Sequence, residues 1–167
     1  MPHTATRQIG IDMGHRVTNH GSKCKNIHGH RYTIEATIGG ALVPSGASEG
    51  MVADFGFMKD AMMQEIDGPC DHGLCLWIKD PLVPLLLKNP AEFDALSKAL
   101  EDGILGQCAQ GVCGKLYLMD LVPTAENLAE HWFRRLGPAI DALSNGQAHI
   151  VNVKVWETPN CFAEYFA

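Results

Sequence analysis

Two stretches, residues 5 to 17 and 29 to 39, carry β-branched and apolar residues on either side of a polar, glycine-containing connection. No other feature restricts the fold as much, because segments of this kind read as strands and, joined in this way, pair antiparallel. A second pair lies at the other end of the chain. His149 to Trp156 alternates as a strand does, Pro159-Asn160 makes a turn, and Cys161 to Phe166 returns as the second arm of a hairpin. Two helices are predicted between the pairs. Asp54 is the N-cap of the first, which runs to about Ile66 with Phe55, Met58, Met62 and Ile66 on one buried face. Methionine fills irregular core space, so this stripe is read as packing. Thr124, with Glu126 and Asn127 just inside, caps the second helix, which runs to about Leu136.

The order strand, strand, helix, helix, strand, strand predicts an α+β domain, with one four-stranded antiparallel sheet and both helices on one face. Its edge strands would leave backbone groups unpaired, and assembly into an oligomer is a natural way to cover them. Between about 70 and 118 the pattern is irregular: prolines, a short helix from Ala91 to Leu100, then the glycine- and cysteine-containing stretch from Gly103 to Gly114. The 167 residues suit a single domain over 1–167, with this elaborated connection as an insertion at about 74–115.

A formal charge of −6 argues against a broad nucleic-acid surface, which needs clustered basic residues facing phosphates. The longest apolar run, Leu82 to Leu87, is short and broken by Pro84, and MPHTATRQIG lacks the apolar segment of a signal peptide. A cytoplasmic, non-membrane protein is therefore expected. In a reducing compartment the six cysteines stay thiols, and the spacings of Cys70/Cys75 and Cys108/Cys113 are wider than zinc knuckles use.

His28-Gly29-His30 opens the second strand. Side chains two apart on a strand share a face, so both imidazoles can address one ion, and His15, late in the paired strand, can add a third from across the ladder. Three histidines with a free fourth position make a catalytic zinc arrangement. His20 competes with His15 but belongs to the loop. Cys24 is either the fourth ligand of a closed structural site or a free thiol made acidic by the cation, Lys23 and Lys25. A chain large enough for its own core has little need of a structural ion, which favours the free thiol. From Met13 to Ile34 the only charged side chains are Arg16, Lys23, Lys25 and Arg31, a positive island that reads as a solvated loop or as a landing site for a phosphorylated substrate. Asp71-His72 offers a carboxylate beside a histidine. Glu157, followed by Thr158, is an acid in an otherwise apolar hairpin and could accept paired N–H donors from a guanidine-like ring edge.

Taken together, His15, CKNIHGHRY from Cys24 to Tyr32, GMVADF from Gly50 to Phe55, Asp71-His72, PTAEN from Pro123 to Asn127 and WET from Trp156 to Thr158 resemble the 6-pyruvoyl-tetrahydropterin synthase family. The three residues between Cys24 and His28-Gly29-His30 are closer to the bacterial 6-carboxytetrahydropterin synthase branch of queuosine biosynthesis. The resemblance implies the tunnelling fold, in which sheets from several subunits close into a barrel, here a hexamer of two trimers with active sites at subunit boundaries. It further implies Zn2+ on His15, His28 and His30, Cys24 as general base, Asp71 and His72 as a proton relay, and Glu157 as anchor of a pterin ring lined by Thr124, Glu126 and Thr158. The implied reaction converts 7,8-dihydroneopterin triphosphate to 6-carboxytetrahydropterin, acetaldehyde and triphosphate. Two alternatives remain open: a 6-pyruvoyltetrahydropterin synthase that eliminates triphosphate, and a non-catalytic zinc-stabilised assembly protein with Cys24 as fourth ligand. The sequence departs from the family's pattern at IGIDMG, before His15, and in the long insertion.

Overall fold

The computed structural model describes residues 3–167. Strand β1 (His3–His15) pairs antiparallel with β2 (His28–Gly40) without interruption, from His3 opposite Gly40 to His15 opposite His28. Strand β6 (Ala148–Thr158) lies against the far edge of β2, and β7 (Cys161–Phe166) folds back on β6. These are the four expected strands, and they form the expected antiparallel set.

The sheet does not stop there, which corrects the four-stranded expectation. Three more strands, β3 (Gly73–Trp77), β4 (Gly106–Gly111) and β5 (Gly114–Met119), in and at the borders of the insertion, extend it past β1 to give a mixed seven-stranded sheet in the order β4-β5-β3-β1-β2-β6-β7. Strand β3 runs parallel to the end of β1, β5 runs parallel to β3, and β4 closes the edge antiparallel to β5. The physical reason lies in GLCLW and KLYLM, short apolar runs without alternation, which suit strands covered on both faces. Cys75, Tyr117 and Met119 face the main core, whereas Leu76, Leu116 and Leu118 face a second core with Ile78, Val83, Leu87 and Leu100.

The helices follow the same division. Helix α1 (Phe55–Met62) starts at Asp54, whose carboxylate accepts from the Gly56 amide at 2.5 Å, and it continues through a wide π turn (Met63–Asp67) to Gly68–Cys70. Met58, Met62 and Ile66 are buried as expected, but Phe55, the first residue of the helix, is 53% exposed. Helix α2 (Phe93–Glu101) covers the second core from the opposite face, so the helices are not all on one side. Helix α3 (Ala125–Leu143) runs a further two turns past Leu136, through Gly137 and Pro138. Burial of Leu136 and Ile140 overrides that breaker pair. A Cβ at Gly137 would stand 3.5 Å from the Ile150 side chain, so the helix lies close on β6 there. Among the described residues no helix is long and apolar enough to cross a membrane.

Candidate metal centre

The register of β1 and β2 sets His15 opposite His28 and Met13 opposite His30. All three imidazoles therefore project from the face that, further along the ladder, carries Ile11, Tyr32 and Ile34 into the core. One ring nitrogen from each of His15, His28 and His30 lies within 4.8 Å of the others. Gly29 between them relieves crowding: a Cβ there would come within 3.1 Å of the Met13 carbonyl oxygen, tighter than most Cβ contacts.

The surroundings orient the rings. His15 Nδ1 is 2.7 Å from the Pro123 carbonyl oxygen and His28 Nδ1 is 2.8 Å from that of Asn26. A carbonyl only accepts, so each Nδ1 carries the proton and each Nε2 presents a lone pair. Pro123 belongs to the N-terminal cap of α3, where Thr124 Oγ1 accepts from the Asn127 amide at 3.3 Å, so the helix start holds the histidine in place. Burial, opposed by Pro123 and Glu157, lowers the pKa of His15, and burial also lowers that of His30. Nε2 of His15 and Nε2 of His30 are buried with no hydrogen-bond partner in the protein. Leaving two such nitrogens unpaired is costly, and a cation held between neutral imidazoles removes the cost. The donor set fits Zn2+.

Glu157 Oε1 stands 3.6 Å from His15 Nε2 and 3.9 Å from His30 Nε2. With both imidazoles held neutral by burial this is a neighbouring carboxylate, not an ion pair. The Tyr32 hydroxyl donates to the same oxygen at 3.4 Å, and burial followed by Glu157 raises its pKa far enough to keep it a phenol.

His15 and Glu157 share the wall of a cleft of about 240 Å³ with Cys24, Thr124 and Glu126. Cys24 is half-buried in the single turn Lys23–Lys25 and stands outside the histidine cluster. His20 lines the cleft too, but its Nδ1 accepts from the Ser22 amide and it does not join the cluster. Thr158 is not on the cleft; its hydroxyl accepts from the Asn160 amide in the β6–β7 turn. Cys161 and Phe162, which begin β7, line the cleft and were missed in the sequence. Only the tightness of the Pro159-Asn160 turn, which returns the chain beside Glu157, signals them.

Asp71 and His72 do bond directly, with His72 Nδ1 2.6 Å from Asp71 Oδ2. Asp71 Oδ1 accepts from the Asp12 amide at 2.8 Å, and the His72 amide donates to the Asp12 carbonyl at 2.7 Å, which holds His72 in a left-handed conformation at φ 54°. Burial opposes ionisation of Asp71, but the Asp12 amide and His72 together hold its carboxyl below the ordinary range. His72 lines a different depression, with Asp12, His30 and Arg31. Asp12 was missed although the strand register that pairs His15 with His28 also sets it opposite Arg31, 2.6 Å away. The positive island is correspondingly smaller than expected: Asp12 pairs with Arg31 and Asp80 with Arg16, which leaves Lys23 and Lys25.

A mixed sheet carrying a three-histidine cluster at the end of its central antiparallel pair, beside a cleft with a cysteine and a carboxylate, defines an α+β protein with a candidate metal centre. The chain belongs to the 6-pyruvoyl tetrahydropterin synthase family, whose profile matches residues 4–167. A 6-carboxy-5,6,7,8-tetrahydropterin synthase of Rickettsia felis is 35% identical over 160 residues, covering 95% of this chain and 96% of that one. The enzyme of the same name from Haemophilus influenzae is 28% identical, covering 96% of each. Among solved structures, an uncharacterized protein from Wolinella succinogenes superposes with a TM-score of 0.75 at 22% identity, covering 98% of this chain and 97% of that one. The 6-pyruvoyl tetrahydropterin synthase of Caenorhabditis elegans has the same fold, with a TM-score of 0.59 at 20% identity and coverage of 98% and 94%.

Proposed function

We propose that this chain is a zinc-dependent 6-carboxy-5,6,7,8-tetrahydropterin synthase, a carbon–carbon lyase acting on 7,8-dihydroneopterin triphosphate in queuosine biosynthesis. The observation that carries the reading is the pair of partnerless buried nitrogens on His15 and His30, the first of which lines the cleft that also holds Cys24 and Glu157. The names of the curated relatives support the carboxy product. His15, His28 and His30 would hold the ion, which when bound supplies Lewis-acid polarisation of a substrate oxygen.

The remaining roles fall to the chain's own side chains. Cys24, on the cleft but outside the ligand set, takes a proton from the substrate as its thiolate. Glu157 accepts from the amino and ring N–H groups of the pterin, Thr124 and Glu126 line the ring, and Lys23 and Lys25 meet the triphosphate. Thr158 acts by shaping the turn that brings Cys161 and Phe162 to the cleft. Asp71 and His72 relay a proton. Because His72 and Cys24 line different depressions of one chain, the relay serves the cleft of a neighbouring subunit in a cytoplasmic homo-oligomer.

Incubation of the zinc-loaded protein with 7,8-dihydroneopterin triphosphate tests the reading. Acetaldehyde and 6-carboxytetrahydropterin are the expected products; a pterin retaining all its side-chain carbons would assign the pyruvoyl reaction instead. Glu157→Gln tests the pterin anchor: an acceptor becomes a donor facing a donor, which costs on the order of 2–4 kcal/mol, or roughly 30- to 1,000-fold in pterin affinity, with zinc retained.

A further inference from the structure

One residue of the insertion reaches back to the loop that carries Cys24. Asp80 stands in the turn after β3, where its amide donates to the Trp77 carbonyl at 2.9 Å and its carbonyl accepts from the Val83 amide at 3.0 Å. Its Oδ1 accepts from the Leu82 amide at 2.9 Å, so the turn fixes the carboxylate's direction. The other oxygen, Oδ2, meets Arg16 Nε at 2.9 Å and accepts a hydrogen bond from the Thr18 hydroxyl. Nε of Arg16 is not aligned for a hydrogen bond, so that contact is a charge pair. The carboxylate is fully buried and the Arg16 side chain is 16% exposed.

Arg16 and Thr18 flank Val17, whose amide donates to the Cys24 carbonyl at 2.8 Å. Between His15 and His28 not one residue is buried, and none belongs to either hydrophobic core or packs against it. Its position depends on polar attachments, and the one that reaches furthest into the protein is Asp80. We propose that Asp80 is a positioning residue for the cysteine loop: its carboxylate clamps Arg16 and Thr18 and, through the Val17–Cys24 backbone bond, sets where Cys24 stands in the cleft. The insertion is then part of the working apparatus. For turnover this rests on the role given to Cys24 above; for the placement of the loop it does not.

Asp80→Asn preserves the turn's shape and removes the charge, while Thr18→Val removes a partner from the loop side and leaves the insertion intact. In hydrogen exchange read by mass spectrometry on the zinc-loaded protein, the amides of residues 16–24 are expected to exchange about tenfold faster in Asp80→Asn, with β2 and β5 unchanged. Turnover should fall by about ten- to a hundredfold in kcat, with KM within about twofold and zinc content unchanged, because a displaced catalytic group costs rate more than binding. Thr18→Val should show the same pattern at smaller amplitude, and it decides the matter if Asp80→Asn does not fold. Unchanged exchange in the loop, or faster exchange spread equally through β5, would overturn the proposal. Full turnover in Cys24→Ala would instead remove the acid–base role of Cys24, and the exchange measurement alone would then decide what Asp80 does.

Discussion

Over Ile11–His15 of β1 and Tyr32–Ile38 of β2 buried side chains alternate with half-buried ones, whereas along β5 the residues from Leu116 to Met119 are buried without a break. The alternating strands bury one face and leave the end of the same stripe, beyond Ile11 and Tyr32, for His15 and His30. In the extension both faces are committed to packing: Tyr117 and Met119 serve one core, Leu116 and Leu118 another. The three histidines, Cys24 and Glu157 therefore come from the antiparallel block, and what the extension can offer is fastening, as Asp80 does. The comparison teaches that a sheet can be lengthened next to a site without crowding it, provided that the added strands bring their own cover.

The sharpest way to break this division is at the ligands. His28→Ala and His30→Ala should each lower bound zinc from about one ion per chain to near none, because two remaining ligands are too few. Full occupancy in both variants, measured by atomic absorption, would move the metal site out of the antiparallel block. Next in size is Cys24→Ala, expected to lose about 10²- to 10⁴-fold in turnover while keeping its zinc. Zinc loss in that variant would make the cysteine a ligand and the centre a structural one.

On the extension's side, Leu118→Ala should destabilise the fold by about 2–5 kcal/mol in urea, since the cavity it leaves lies between packed layers. Zinc content at low denaturant should not change; a proportionate loss would mean that the two blocks melt as one and share the site. The smallest effect concerns the seam. Nε2 of His131 on α3 is hydrogen-bonded to the Tyr117 hydroxyl of β5 at 2.6 Å, and burial, aided by Arg135 and Arg134, lowers its pKa to about 3. Unfolded, it takes up a proton near the ordinary value of 6.5; folded, it does so only near 3. Acid in that window favours the unfolded chain, so stability should fall by roughly 1.4 kcal/mol per pH unit below 6.5. His131→Gln, unable to take up that proton, should show a flatter profile between pH 7 and 5, and an unchanged slope would assign the acid sensitivity to other groups.

What could be read without coordinates follows the same line. The hairpins, the caps at Asp54 and Thr124 and the three histidines are local signals, each set by residues a few positions apart. The strands of the extension were missed because GLCLW and KLYLM have no period: an apolar run buried on both faces looks the same as any buried segment until its neighbours are known. Arg16 and Arg31 looked like free charge because their partners, Asp80 and Asp12, are reached only through tertiary pairing. Asp12 could have been found from the strand register alone; Asp80 could not, since it needs the parallel pairing of β3 with β1. The length of α3 was underestimated for the opposite reason, a strong local breaker at Gly137-Pro138 overruled by the sheet beneath it.

The wide turn at Met63–Asp67 holds one more residue per turn than an α-helix, so everything after it is rotated by that residue's share, about 100°. At the exposed Gln64 the presence of a residue matters more than its identity. Gln64 points outward and accepts many replacements, but deleting it would close the turn to ordinary pitch and swing Asp71 and His72 more than a quarter of a revolution away from the Asp12 backbone that holds them. Across generations the gene is thus free to respell this one position and not free to drop it.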